Sequence, residues 1–409
     1  MIPQKESSYR FLHTADWHLG KLLNGKSRHL EHFSFLNWLL GAIEEHSVDA
    51  VLLAGDVFDS SNPPQHSVKL YYDFVSKLPG KCDFVVIAGN HDSPAFVDSP
   101  KQVLSALNTH VVGQMPSDPQ KRIIYLPNEE NSKVAIAAVP FLRDRDIRIG
   151  RAGEDVAQIR KNVAEGIQRV YLETAAVLEK DANTPAIAMG HLTVLGGKSS
   201  DSERDIHIGG LGSVSTQVFS EVFRYVALGH LHKPQCPGGD QRVHYSGSPI
   251  PLSFSECNDK KEVKIVDLND GDLKTYSLPV PQQRRLYQIK TKVQDLEASI
   301  EQFELKESVE EAWVEIVITD ESFESDILDR VQIATEGKSF EVLKVIRESS
   351  QEFKGMDIEG KSDDEALESV LGNPMAMFEN LLAEKNVDES EQKSLIDAFQ
   401  YILESESND

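Results

Sequence analysis

With 409 residues, 40% of them hydrophobic and 26% charged, the chain has material for two or three domains and a globular composition. No run approaches the ~18–20 apolar residues of a membrane span, and Met1 to Arg10 lacks a signal-peptide core, so a cytosolic location is expected. The net charge of −24 would argue against a nucleic-acid partner, but it is unevenly spread: residues 1–280 carry −5, residues 281–360 carry −9 and residues 361–409 carry −10.

Cys82, Cys236 and Cys257 are odd in number and far apart, which disfavours a disulfide framework and a thiolate zinc site. The first apolar stretch, Phe11–Leu12, leads into His13-Thr-Ala-Asp16-Trp-His18-Leu-Gly20. If that segment is extended, Asp16 and His18 point the same way and can reach one ion. Residues 28–46 read as an amphipathic helix with Phe33, Leu36, Leu39, Leu40 and Ile43 on one face. His29, His32 and His46 are expected to be surface or packing residues of that helix.

Val48–Ala54 reads as a strand buried on both faces, broken by Gly55 and followed at once by Asp56 and Asp59. A helix is expected over residues 65–78. A strand over 83–88 then runs into Gly89-Asn90-His91-Asp92, where Asp92 would orient the imidazole or cap the next turn. Further helices are expected over 100–107 and 155–179, with a strand over 134–139 between them. Residues 186–189 lead into Gly190-His191, and residues 225–228 into Gly229-His230-Leu-His232. Glycine before Asp56, Asn90, His191 and His230 is expected to let each strand end turn its next side chain inward. A hairpin around Asn269-Asp-Gly-Asp272 closes the first domain, residues 1–280.

Residues 281–350 alternate strand and helix, as in a small α+β domain. Residues 351–373 read as a flexible acidic linker, and residues 374–409 as two short helices whose apolar faces must be covered by this chain or by a partner.

Five strand tips thus supply Asp16, His18, Asp56, Asn90, His191, His230 and His232, with His91 left over. Two acids, an amide and four imidazoles suffice for two first-row divalent ions, and paired ions suit hydrolysis of an anionic phosphodiester. Neither a convincing Ser or Cys nucleophile nor a G-x-x-x-x-G-K-[ST] loop is found, so any ATP dependence must come from a partner.

The motifs His13–Lys21, Leu53–Asp59, Ala88–Pro94, Ala227–Pro234 and Tyr245–Glu256 resemble the calcineurin-like metallophosphoesterase superfamily. Within it they are most similar to the bacterial SbcD-type subunits of break-repair nucleases. The resemblance is strong over residues 10–280 and looser to about 347. It implies an α/β fold: a β-sandwich flanked by helices, with a small α+β capping domain and a C-terminal helix pair. It implies two manganese ions, with magnesium as a weaker substitute. One would lie on Asp16, His18, Asp56 and His232, the other on Asp56, Asn90, His191 and His230, so that Asp56 bridges. His91 would be the catalytic non-ligand histidine, and Asp59 and Asp92 would support the ligands from behind. Some relatives carry histidine at the position of Asp59.

The implied function is a DNA exonuclease and endonuclease in end processing, recombination and repair, working as a homodimer with an SbcC-type coiled-coil ATPase in a heterotetramer. The alternatives are a hydrolase of small phosphate esters with the same ions, which residues 281–409 argue against, and an inactive DNA tether. The tether reading fits poorly with a full set of ligands.

Overall fold

The computed structural model describes residues 2–5, 9–147, 156–180, 184–203, 213–269, 272–305, 309–320, 326–348 and 396. Its contacts divide the chain into two units, residues 1–152 with 159–348, and residues 153–158 with 349–409. The acidic connector and the C-terminal helix pair lie outside the described residues, apart from Ile396.

Two sheets form the body of the first unit. Strands β1 (Tyr9–Thr14), β2 (Ala50–Ala54), β3 (Asp83–Ile87) and β4 (Thr109–Val112) make four strands of the first sheet. Strands β5 (Ile123–Leu126), β6 (Val134–Ala138), β7 (Ala186–His191), β8 (Phe223–Gly229) and β9 (Val243–Tyr245) make the second. The hairpin of β10 (Glu262–Asn269) and β11 (Asp272–Pro279) completes the first sheet, whose order is β11-β10-β1-β2-β3-β4. The order of the second is β9-β8-β7-β6-β5. β1, β2, β3 and β4 run parallel, as do β6, β7, β8 and β9, so the carboxyl ends of each set share one edge.

Burial on both faces explains why these strands read as unbroken apolar runs. Phe11, Leu52, Val85, Ile136, Met189 and Tyr225 belong to one core that joins the two sheets. Their alternating neighbours Leu12, Val51, Leu53 and Phe84 pack instead with Phe35, Leu39 and Phe74 of helices α1 (His29–Glu45) and α2 (Gln65–Val75). Helix α3 (Val156–Leu178) covers the second sheet through Val163, Ile167, Val170 and Tyr171. Among the described residues, no helix is long and apolar enough to cross a membrane.

Beyond β11, strands β12 (Leu286–Thr291), β13 (Ala312–Ile318) and β14 (Phe340–Arg347) form a parallel sheet of their own. Helices α4 (Leu296–Glu301) and α5 (Ile327–Thr335) share its separate core. Leu286 and Trp313 of this small layer meet Leu23 and Phe254 of the sandwich in a further cluster. The Arg284 guanidinium lies 4.0 Å above the Trp313 ring.

Some local expectations change. The α1 face that packs inward carries Phe35 rather than Phe33, which is half exposed. The helix expected over 100–107 is shorter, Lys101–Ser105, and another short helix, Pro94–Asp98, precedes it.

Candidate metal centre

All five polar tips lie at the carboxyl edges of β1, β2, β3, β7 and β8. The first tip is not extended, contrary to the sequence expectation. Asp16 (φ 55°) and His18 (φ 45°) both adopt the left-handed region, which non-glycine residues seldom enter. Three backbone bonds from neighbouring tips hold them there: Asp16 N–H to the Gly55 carbonyl, His18 N–H to that of Asp56 and Leu19 N–H to that of Val57, each 3.0 Å. Between them Trp17 is fully buried, edge-on to Phe35 and Phe74, with its indole N–H on Thr14 Oγ1 at 2.9 Å. A core anchor between two reversed residues, rather than strand alternation, makes the Asp16 and His18 side chains converge.

Nor does glycine act alike at the four tips. Gly55 does take a positive φ (93°), and Asp56 follows at 50°. The others keep space clear. A Cβ on Gly89 would come within 2.1 Å of Asp56 Oδ1, and one on Gly229 within 2.0 Å of the Ala54 carbonyl.

Asp56 is the centre of the cluster. Its Oδ2 lies 3.5 Å from His18 Nε2 and 3.4 Å from His191 Nε2, and its Oδ1 accepts the His91 backbone N–H at 2.8 Å. Asp16 accepts the backbone N–H of His230 at 2.9 Å. Donor atoms of Asp16, His18 and His232 lie within 4.8 Å of one another, as do those of Asp16, Asp56 and His191, and those of His18, Asp59 and His91. Asn90 reaches the cluster through Oδ1, 2.9 Å from His191 Nε2.

His91 and Asp59 are half-buried at the rim. The His91 Nδ1–H donates to the Asp59 carbonyl at 2.8 Å, so the main chain of Asp59, not Asp92, orients this ring. The Asp59 carboxylate lies 3.2 Å from His18 Nδ1 and 3.1 Å from Lys21 Nζ. Asp92 accepts N–H groups of Val57 (3.1 Å), Phe58 (3.0 Å) and Gly89 (2.9 Å), tying the second tip to the third.

Burial raises Asp16 to about 7, aided by the neighbouring Asp56 charge and opposed by His191. Burial also works to raise Asp56, yet His191 and His18 hold it below the usual carboxylate range. Asp56 in turn lifts His191 to about 9 against the effect of burial. Burial, then His191, keeps His230 well below its ordinary value, and burial lowers His91 as well.

The donors fit a divalent cation on two observations. His18 Nε2 is buried without a hydrogen bond, 3.5 Å from Asp56 Oδ2. His191 donates Nδ1–H to the Ala54 carbonyl at 2.9 Å, so in the neutral ring Nε2 is a lone pair facing the Asn90 and Asp56 oxygens. Three acceptors that converge in a buried space are satisfied by a proton or a metal ion.

Residues with no assigned role in the sequence surround His232. Its Nδ1 lies 2.5 Å from Ser202 Oγ and 3.5 Å from Glu256 Oε1, and its backbone N–H donates to Glu203 at 2.7 Å. Burial opposes ionisation of Glu256, but Lys261 and His232 hold it well below its usual range. These partners lie 24–30 residues from His232, so no short motif joins them to it. Glu256 alone leaves a trace, as the last residue of the Tyr245–Glu256 motif.

A two-sheet sandwich with this mixed nitrogen and oxygen cluster at its strand ends suits a metal-dependent phosphate-ester hydrolase. Residues 9–234 match the family model of the calcineurin-like phosphoesterases, and residues 282–386 that of the type 5 capsule protein repressor C-terminal domain. The SbcD component of nuclease SbcCD from Escherichia coli (strain K12) is 37% identical over 95% of this chain and 96% of its own length. The SbcD components from Rhodobacter capsulatus and Bacillus subtilis (strain 168) are 39% and 35% identical, over 66% and 65% of this chain and 69% and 68% of theirs. The chain belongs to the SbcD family of calcineurin-like phosphoesterases.

Proposed function

We propose that this chain is the DNA-cleaving component of an SbcCD-type nuclease and hydrolyses phosphodiesters at the strand-end cluster. The observation that carries the reading is the surplus of buried acceptors around Asp56, within a chain that matches a nuclease component almost end to end. Asp16, His18, Asp56 and His232 would hold one ion, and Asp56, Asn90, His191 and His230 the second. Mixed imidazole and oxygen donors suit manganese, with magnesium as a weaker substitute. Such ions, when bound, neutralise a phosphodiester and make water a nucleophile at neutral pH.

The residues supply the rest. Asp56, held in its ionised form, stays a ligand to both sites at neutral pH. His91, with Nδ1 committed to the Asp59 carbonyl, leaves Nε2 free to hold or release a proton at the leaving oxygen. A phosphate bound beside it would raise its proton affinity against the lowering effect of burial. Asp59 and Lys21 steady the outer side of His18.

DNA is the substrate, acted on as a double-strand exonuclease and a single-strand or hairpin endonuclease. The β12–β14 layer serves as a cap over it. The C-terminal residues bind an SbcC-type ATPase, and two copies pair through α2 and the short helices of residues 94–105 to give a heterotetramer on the cytoplasmic nucleoid.

Linear duplex DNA and a chromogenic phosphodiester, each with manganese and with or without the ATPase partner, test the reading. It predicts DNA cleavage that requires the ion. Rapid turnover of the small ester with no DNA cleavage would instead make the chain a small-molecule phosphoesterase.

A further inference from the structure

Behind His232 lies a buried polar chain that the ligand assignment does not use. Glu256 is fully buried, and its two oxygens have different partners. Oε2 accepts from Lys261 Nζ at 2.5 Å and from the Leu252 N–H at 3.1 Å, which anchors the loop after β9. Oε1 accepts from Ser202 Oγ, which also lies 2.5 Å from His232 Nδ1 and 2.9 Å from Ser200 Oγ. Lys261 also donates to the His232 carbonyl at 3.0 Å, so the backbone of the same histidine is pinned.

An ion held at His232 Nε2 would select one arrangement of the protons in this chain. A carboxylate paired with a lysine only accepts, so Glu256 can take the Ser202 hydroxyl proton. With Nε2 given to the ion, the imidazole proton sits on Nδ1 and the serine oxygen accepts it.

We infer that Ser202 and Glu256 are positioning residues for His232: through the hydroxyl bridge they fix its tautomer and ring orientation, and so set the affinity of the one ion site that His232 shares with Asp16 and His18. The inference rests on the reading of His232 as a ligand. Its physical basis is general, because a carboxylate behind a ligating histidine raises the ring's basicity and restricts its rotation, and loss of such support costs ~10–100-fold in metal affinity. Here the bridge is the hydroxyl of half-buried Ser202. It can therefore be removed without disturbing the Glu256–Lys261 pair.

Manganese titration of the full chain, followed by the electron paramagnetic resonance of the free ion, measures both sites without reference to activity. Ser202→Ala should weaken one of two ions by ~10–100-fold and leave the other ion and the melting temperature unchanged. Ser202→Thr should restore the lost affinity. Glu256→Gln should weaken the same ion and also lower the melting temperature, because Lys261 loses its counter-charge. If both variants titrate like the wild type while His232→Ala loses an ion, the inference fails and the ligand reading stands. If His232→Ala also keeps both ions, that reading fails. Equal weakening of both ions in step with the melting temperature would assign Ser202 and Glu256 to loop anchoring alone.

Discussion

The two ends of β1 bury charge in opposite ways. Near its start, Arg10 is buried and meets Asp267 of β10 in a two-bond fork, Nε to Oδ1 at 2.5 Å and Nη2 to Oδ2 at 2.8 Å. The remaining donors reach the carbonyls of His46 (2.9 Å) and Pro3 (3.2 Å). Acid and base match one to one, and the register places Arg10 directly opposite Asp267. Past the other end, Asp16, Asp56 and their imidazoles supply more lone pairs than protons, and His18 Nε2 is buried without a hydrogen bond. Buried charge of the first kind is part of the fold. The second kind is a vessel shaped for a ligand that brings positive charge.

Substitutions at the two ends should separate these roles. Asp56→Asn should abolish DNA cleavage and remove the rise in melting temperature that bound ions give. A nuclease assay and a calorimetric scan check both; cleavage at the wild-type rate would dissolve the contrast. His91→Asn should lower kcat by ~10²–10⁴-fold and leave both ions bound, the range typical of proton transfer. Loss of an ion in this variant would make His91 a ligand. At the opposite end, Asp267→Ala leaves Arg10 buried and unpaired and should cost ~3–5 kcal/mol in chemical denaturation with ion affinities unchanged.

The smallest effect concerns pH. Burial and then Arg28 hold His32 down to about 3, and burial and then His244 hold His13 down to about 3. Each takes up a proton near 6.5 when unfolded. Between pH 6.5 and 3 the unfolded chain therefore binds protons that the native one refuses, and stability falls as pH falls, by about 1.4 kcal/mol per pH unit per histidine. Above 6.5 this contribution is absent. His32→Leu should flatten the fall in denaturation midpoint between pH 6.5 and 5 by one proton's share; an unchanged slope would mean that His32 is not held neutral.

What the sequence reveals and what it hides divides along similar lines. Doubly buried strands leave unbroken apolar runs, so β2, β3, β7 and β8 and the polar residues at their ends are legible from residue order alone. β4, β5 and β9 are not, because three or four residues with His110, Tyr125 or His244 among them carry no clear period. The site residues converge as their spacing suggests, but the cause at Asp16 and His18 is invisible in the sequence: left-handed backbone imposed by bonds to the second tip and by buried Trp17. Phe33 looks like a core position because it lies three and seven residues before Leu36 and Leu40, in step with that stripe. Ser202, Glu203 and Lys261 leave no signal, since tertiary approach alone brings them to His232.

Asp56 is proposed to stand between two ion sites built from both sheets. Anomalous diffraction at the manganese edge, from crystals grown with the ion, tests it most directly. The account predicts two peaks, one bordered by Asp16, His18 and His232 and the other by Asn90, His191 and His230, with Asp56 touching both. A single peak, or two peaks that Asp56 does not join, would contradict it.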